Sequence, residues 1–282
     1  MQILTVKNLV KTYPSFRLEE VSFSLKKGKI TGLIGRNGAG KTTTLKSIMR
    51  FLHPDSGEIR IFDLDYAEHE QEIKRRIGFV NGGVDYYAGK KLKSIIDVTR
   101  RFWSDWDEAE YRRYMVIFGL DENKKISELS QGMKVKFALI PALSRHAELL
   151  ILDEPTSGLD PVSRDELLDI LLDLADRGVT IFFSTHITSD LEKCADRIIY
   201  IKNGRIIADD ALKQFVTRYR VATFEVMPDA AEQRPELIGL KRTKDGYESL
   251  IEATCAPAFD PATIREADLE TIMIHMEKEA LV

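Results

Sequence analysis

No stretch constrains this chain more than Gly35-Arg36-Asn37-Gly38-Ala39-Gly40-Lys41-Thr42. It follows a short β-branched apolar run, Lys29 to Ile34, and precedes Thr43 to Met49, whose apolar positions have helical spacing. The pattern G-x-x-x-x-G-K-[ST] between a strand and a helix suits a phosphate ligand. Glycines let successive backbone N–H groups turn inward, and the helix N-terminus adds positive partial charge. Lys41 then reaches the outer phosphate oxygens, and the Thr42 hydroxyl can hold Mg2+. A nucleotide is therefore the first ligand to expect.

A second phosphate-handling element is Leu149-Leu150-Ile151-Leu152-Asp153-Glu154. Four apolar residues in a row suggest a strand buried on both faces of a parallel sheet, with two carboxylates at its end. Ligands of such sheets collect at the carboxyl ends of the strands. Asp153 is placed to hold Mg2+, directly or through water, and Glu154 to orient and deprotonate an attacking water. Taken alone, an apolar strand ending in Asp-Glu is a weak signal; the loop at Gly35 to Thr42 gives it meaning.

Between Leu129 and His186 the chain reads Leu129-Ser130-Gln131-Gly132-Met133, then Leu149 to Glu154, then Pro155-Thr156-Ser157-Gly158-Leu159-Asp160, then Ser184-Thr185-His186. In order and spacing this resembles the ATP-binding-cassette ATPases over about residues 1 to 210. The resemblance implies an α/β fold: a P-loop NTPase core, an antiparallel β layer and an inserted helical subdomain at about 85–145. It implies ATP and Mg2+ as ligands, Glu154 and His186 as catalytic residues, and Thr42 and Asp153 at the metal. The ATP-contacting set it implies is Tyr13, Gly35, Asn37, Gly38, Gly40, Lys41, Thr42, Thr43, Asn81, Ser130, Gly132 and Asp160. Tyr13 takes the place of the adenine-stacking aromatic, Asp160 that of the D-loop aspartate, and His186 contacts the γ-phosphate. Ser130 and Gly132 would serve the ATP held by the phosphate loop of a second cassette subunit, so each site would be shared by two chains.

Two positions depart from the family pattern. After Arg76-Ile77-Gly78-Phe79-Val80, the place of the usual glutamine holds Asn81, followed by Gly82-Gly83. Asparagine keeps the amide but is one methylene shorter, so Asn81 is either a sensor of γ-phosphate and metal-bound water or a plain loop residue. Gln131 and Met133 replace the usual Gly and Gln of the signature, while Ser130 and Gly132 are retained.

Composition narrows the partners. The 282 residues carry a net charge of −4 and 44% hydrophobic residues, and basic residues alternate with acids, as in Lys124 to Glu128. No nucleic-acid footprint results. Met1 to Lys7 lacks a signal-peptide apolar core and no run approaches bilayer-spanning length, so the expectation is a cytoplasmic chain, peripheral on the cytoplasmic face of the cell membrane through a separate integral permease. Cys194 and Cys255 form no metal-ligand pattern.

Along the chain, residues 1–30 and 55–65 read as short alternating strands, with turns at Lys26-Lys27-Gly28 and Asp55-Ser56-Gly57. Residues 91–120 have helical spacing with Trp103, Trp106, Tyr111, Tyr114 and Phe118 as helix core; any exposed ones would line a permease groove near Val80 to Tyr87. Residues 211–282 read as a small α+β accessory domain after a nucleotide-binding domain at 1–210. Its strand at Val221 to Val226, turn at Lys244 to Gly246 and closing helix at Asp268 to Met276 place Met273, His275 and Met276 in helix packing rather than at a soft metal. The functional expectation is the ATPase subunit of an exporter-like transporter. Its rivals are a soluble cassette ATPase acting on nucleic acid or ribosomes, which usually has two cassettes or a coiled-coil insertion, and a P-loop small-molecule kinase, which has no use for the signature loop.

Overall fold

In the computed structural model, residues 1–81, 87–228, 234–260 and 263–278 are described. The chain divides into two units, Met1–Asp209 and Asp210–Val282.

The first unit runs β1 (Gln2–Tyr13), β2 (Phe16–Lys26), β3 (Ile30–Ile34), α1 (Lys41–Ile48), β4 (Ser56–Ile61), β5 (Leu64–Asp65), α2 (Glu70–Arg76) and β6 (Ile77–Asn81). It continues with α3 (Leu92–Thr99), α4 (Glu108–Ile117), α5 (Gln131–Leu143), β7 (Leu149–Asp153), α6 (Pro161–Asp176), β8 (Thr180–Thr185), α7 (Thr188–Cys194), β9 (Arg197–Lys202) and β10 (Arg205–Ala211), whose last two residues belong to the second unit. A six-stranded sheet has the order β10-β9-β3-β8-β7-β6. Every residue of β3, β7 and β8 is buried, as continuous apolar runs require when helices cover both faces of a parallel sheet. The parallel register sets Ile34 beside Thr185, Asp153 beside Ser184, and Asn81 beside Asp153. Four strand ends therefore lie in one row, and the loops carrying Gly35, Glu154 and His186 all leave from it.

A second sheet, β2-β1-β4-β5, is antiparallel and shares its core with the first through Leu9, Leu18, Leu33, Leu45 and Ile151. Its strands correct two expectations. β1 and β2 are 12 and 11 residues long rather than short, because fully buried residues such as Leu9, Leu18 and Leu25 recur along the hairpin. Ser56 and Gly57 open β4 instead of forming a turn with Asp55. Asp55 accepts from Thr12 N at 2.7 Å and from Lys11 Nζ at 2.9 Å, which docks the chain onto β1 one residue earlier. Gly57, at φ 109°, lies where a Cβ would come within 2.7 Å of the Asn8 carbonyl, so the strand can approach β1 so closely only with glycine.

The helical stretch expected over 91–120 is broken between α3 and α4, and Trp103 and Trp106 sit in the break rather than on a helix. Asp107 caps α4 by accepting from Ala109 N and Glu110 N. Trp103 lies under the Arg145 guanidinium at 3.5 Å, and Arg145 also donates to the Arg75 and Ile77 carbonyls, tying this segment to the start of β6. Tyr111, Tyr114 and Phe118 are buried as expected; Phe102, Val116 and Ile117 are exposed. Most of the expected groove near Val80 to Tyr87, including Gly82 and Gly83, lies outside the described residues.

The second unit comprises α8 (Leu212–Thr217), β11 (Tyr219–Phe224), β12 (Ile238–Thr243), β13 (Gly246–Glu252), β14 (Ile264–Glu266) and α9 (Leu269–Lys278). Its antiparallel sheet is ordered β12-β13-β11-β14, and α9 packs on β12 and β13. Leu269, Ile272, Met273 and Met276 face inward. His275 is fully buried, with Nδ1 donating to the Gly239 carbonyl at 2.8 Å, and no metal-ligand cluster occurs among the described residues. Nor is any described helix long and apolar enough to cross a membrane.

Candidate functional site

Helix α1 begins without a side-chain cap. Its N-cap is Gly40, at φ 115°, and no acidic residue occupies its first turn. The first backbone N–H groups thus keep no competing side-chain acceptor, the condition under which a helix N-terminus receives an anion. A Cβ at Gly40 would come within 2.6 Å of Leu18 and 2.9 Å of Phe16, so both conformation and space demand glycine.

A cleft of about 450 Å³ opens at this terminus, lined by Phe16, Asn37, Gly38, Gly40, Lys41, Thr42, Thr43, Glu154, Ser157 and His186. Lys41 is almost fully buried and its Nζ donates to the Gly35 carbonyl at 2.7 Å, while the Glu154 Oε1 lies 3.2 Å away. The other Glu154 oxygen accepts from His186 Nδ1 at 2.8 Å. Since a carboxylate only accepts, that ring nitrogen carries the hydrogen, leaving Nε2 as the outward nitrogen. One carboxylate thus stands between the phosphate-loop lysine and the histidine.

Glu154 has φ 50°, a left-handed conformation that costs a non-glycine residue about 1–3 kcal/mol unless its surroundings impose it. Part of the imposing is visible: Glu154 N donates to Ser184 Oγ at 2.9 Å, and Ser184 Oγ in turn donates to Asp153 Oδ1 at 2.6 Å. Asp153, buried behind the cleft, also accepts from Thr42 Oγ1 at 3.2 Å. Two hard oxygen donors side by side fit Mg2+, which favours hydroxyl, carboxylate and water ligands. Asn81, level with Asp153 on the edge strand, is exposed.

Tyr13 and Phe16 face each other across the β1–β2 hairpin, and it is Phe16 that lines the cleft. Tyr13 is 36% exposed, with the Lys11 ammonium 5.9 Å from its ring centre. Phe16 carries no motif around it, so sequence reading passed it over. Ser157, between Glu154 and Asp160, also lines the cleft, and Ser184, two residues before His186, stands behind it; neither position carries a signal of this role in the sequence.

Ser130, Gly132 and Asp160 do not line this cleft. They lie at the N-termini of α5 and α6. Ser130 caps α5 by accepting from Met133 N at 3.2 Å, and Asp160 caps α6 by accepting from Val162 N and Ser163 N at 3.0 Å each. The hydrogen bonds from Ser163 hold the Asp160 carboxyl below its ordinary range. A Cβ at Gly132 would stand 3.0 Å from the Ser163 Cβ, so the two helix starts press closely together.

Comparison with known proteins adds to this geometry. The sequence profile of the family described as ABC transporter matches residues 18–157. The chain is 34% identical over 224 residues to the bacitracin transport ATP-binding protein BcrA of Bacillus licheniformis, covering 77% of this chain and 73% of that one. It is 34% identical over 270 residues to the Nod factor export ATP-binding protein I of Burkholderia orbicola, covering 92% and 88%. The solved structure of an ATP-binding subunit of an ABC transporter aligns with a TM-score of 0.67 at 30% identity, over 76% of this chain and 93% of that one.

Proposed function

The chain belongs to the ATP-binding-cassette family as an ATP-binding, ATP-hydrolysing transporter subunit, and from that premise we propose that two cassettes close around two MgATP to drive an integral permease on a separate chain. The observation that carries the shared site is the split of the machinery: Lys41, Thr42, Glu154 and His186 line the cleft, while the exposed Ser130 and the buried Gly132 lie at the start of α5, outside it.

Each residue has a role in this reading. Asn37, Gly38, Gly40, Lys41, Thr42 and Thr43 receive the phosphates through backbone N–H groups and the ammonium, with Gly35 shaping the loop around Lys41. Thr42 and Asp153 would hold Mg2+, with Asn81 acting on it through a water if at all, and the ion would neutralise charge on the phosphate oxygens. Glu154 orients and deprotonates the attacking water, and His186 steadies that carboxylate and contacts the γ-phosphate. Phe16 and Tyr13 offer aromatic faces to the adenine. Asp160 ties the α6 terminus to the closing surface. The division of the chain between Asp209 and Asp210 supports a nucleotide-binding domain at 1–210 and an accessory domain at 211–282. The exposed Phe102, Val116 and Ile117 support a permease contact on the helical subdomain, and the names of the relatives, bacitracin transport and Nod factor export, support export, with the subunit on the cytoplasmic face of the membrane.

The test is Glu154→Gln. Loss of the carboxylate base lowers hydrolysis by about 10²–10⁴-fold with ATP still bound, and blocked hydrolysis traps a dimer whose stability follows ATP concentration. Adding Ser130→Arg places bulk and charge in the interface and abolishes that dimer. Sedimentation with and without MgATP reads both; a Glu154→Gln protein that stays monomeric at saturating MgATP removes the homodimer and leaves a different cassette as the partner.

A further inference from the structure

Asp190 lies in α7, four residues beyond His186, and is fully buried. Its Oδ2 accepts from Thr156 Oγ1 at 2.5 Å and from Thr185 Oγ1 at 3.4 Å. Thr156 is two residues past Glu154, and Thr185 immediately precedes His186, with its Oγ1 also accepting from Ile187 N at 2.9 Å. One carboxylate oxygen thus accepts from the hydroxyls of two threonines that neighbour Glu154 and His186 along the chain. Its other oxygen, Oδ1, has no hydrogen-bond partner and faces Arg164 Nε at 3.9 Å, itself buried without a hydrogen-bond partner. Arg164 belongs to the first turns of α6, its backbone N donating to the Asp160 carbonyl.

Two hydroxyl donors do not require a charged acceptor; an amide oxygen would serve them. The negative charge is needed only by Arg164. Complementary buried atoms left apart cost free energy, and an approach of ~1 Å between α6 and α7 would join them in a charge-assisted hydrogen bond. Burial pushes the Asp190 carboxyl up and the Thr156 hydrogen bond pulls it back, so a closer Arg164 would also stabilise the ionised form.

We propose that Asp190 is a positioning residue for hydrolysis, linking the start of α6, which carries Asp160, to the Glu154–His186 pair through Thr156 and Thr185. The inference rests on the roles given to Glu154 and His186 above. Movement of the α6 terminus as a second cassette closes on it would make or break the Arg164 contact and shift the base and the histidine together.

The experiment compares Asp190→Asn, Arg164→Met and the double variant, measuring kcat and KM for MgATP, equilibrium ATP binding and melting temperature, with Lys41→Ala as control. Since a displacement of about 1 Å at a reacting group can cost about 10²-fold, Asp190→Asn is expected to lower kcat roughly 10- to 100-fold while KM and ATP affinity stay within about twofold. Arg164→Met lowers kcat in the same direction, and the double variant falls no further than Asp190→Asn, because both remove one contact. Should Asp190→Asn fail to fold, Arg164→Met alone decides: wild-type kcat in that folded variant overturns the inference. Wild-type kcat in Asp190→Asn, or losses that add in the double variant, overturn it as well while Lys41-dependent hydrolysis leaves the reading of the site standing. Absence of Lys41-dependent hydrolysis in the unaltered protein overturns both.

Discussion

Asn81 shows how much one methylene can decide. It ends β6, the edge strand, level with Asp153, whose carboxylate is already bound by Thr42 and Ser184. Its amide can serve the transition state only by way of a water or an approach of the loop. We expect Asn81→Ala to lower kcat about tenfold with ATP affinity nearly unchanged, the pattern of an interaction made mainly on the way to the transition state. Steady-state kinetics beside equilibrium nucleotide binding checks this, and an unchanged kcat would reduce Asn81 to a loop residue. That Lys41, Thr42, Asp153, Glu154 and His186 come together was legible in the sequence, because a strand, a loop and a helix at a set spacing bring those positions to one row of strand ends. Phe16 and Asp190 escaped it: which aromatic of a hairpin turns inward depends on cross-strand register, and a buried clamp between two loops leaves no local pattern.

At the scale of elements, α9 carries a pH dependence that motif reading does not touch. His275 is buried against β12 and β13, near Lys241 and Glu248, and desolvation lowers its pKa from the ordinary 6.5, with the Lys241 charge acting the same way and the Gly239 carbonyl and Glu248 opposing. A lowered folded-state pKa means that the unfolded chain takes up the proton first. The stability from the neutral ring is complete above about pH 6.5 and is lost as pH falls through that value toward the lowered one. Thermal unfolding of the full chain between about pH 7.5 and 5 should show a transition losing stability on acidification, and His275→Gln should flatten that loss. Parallel pH curves for the two proteins would refute it. Elements were legible where burial repeats: β3, β7, β8 and α9 follow their apolar patterns. The break between α3 and α4 was hidden because Trp103 and Trp106 fit a helical spacing, yet Arg145 and Tyr111 hold them off the helices.

At the scale of the whole molecule, the proposed shared site makes the cleft at Lys41 and the start of α5 at Ser130 two halves of one machine, and such a division has a kinetic order. If turnover requires a second copy, the rate of dilute protein rises with the square of its concentration, and activity per molecule climbs to a plateau only above the dissociation constant of the pair. Assays across a dilution series at saturating MgATP measure this; activity per molecule independent of dilution, where sedimentation shows only monomer, would mean that a single chain suffices. Tethering two copies to one permease replaces bulk concentration by a far higher effective one. A lone copy adrift in the cell would then be nearly idle and an anchored pair fully active, so that fuel use is confined to assembled machines by nothing more than where the two halves of the site reside.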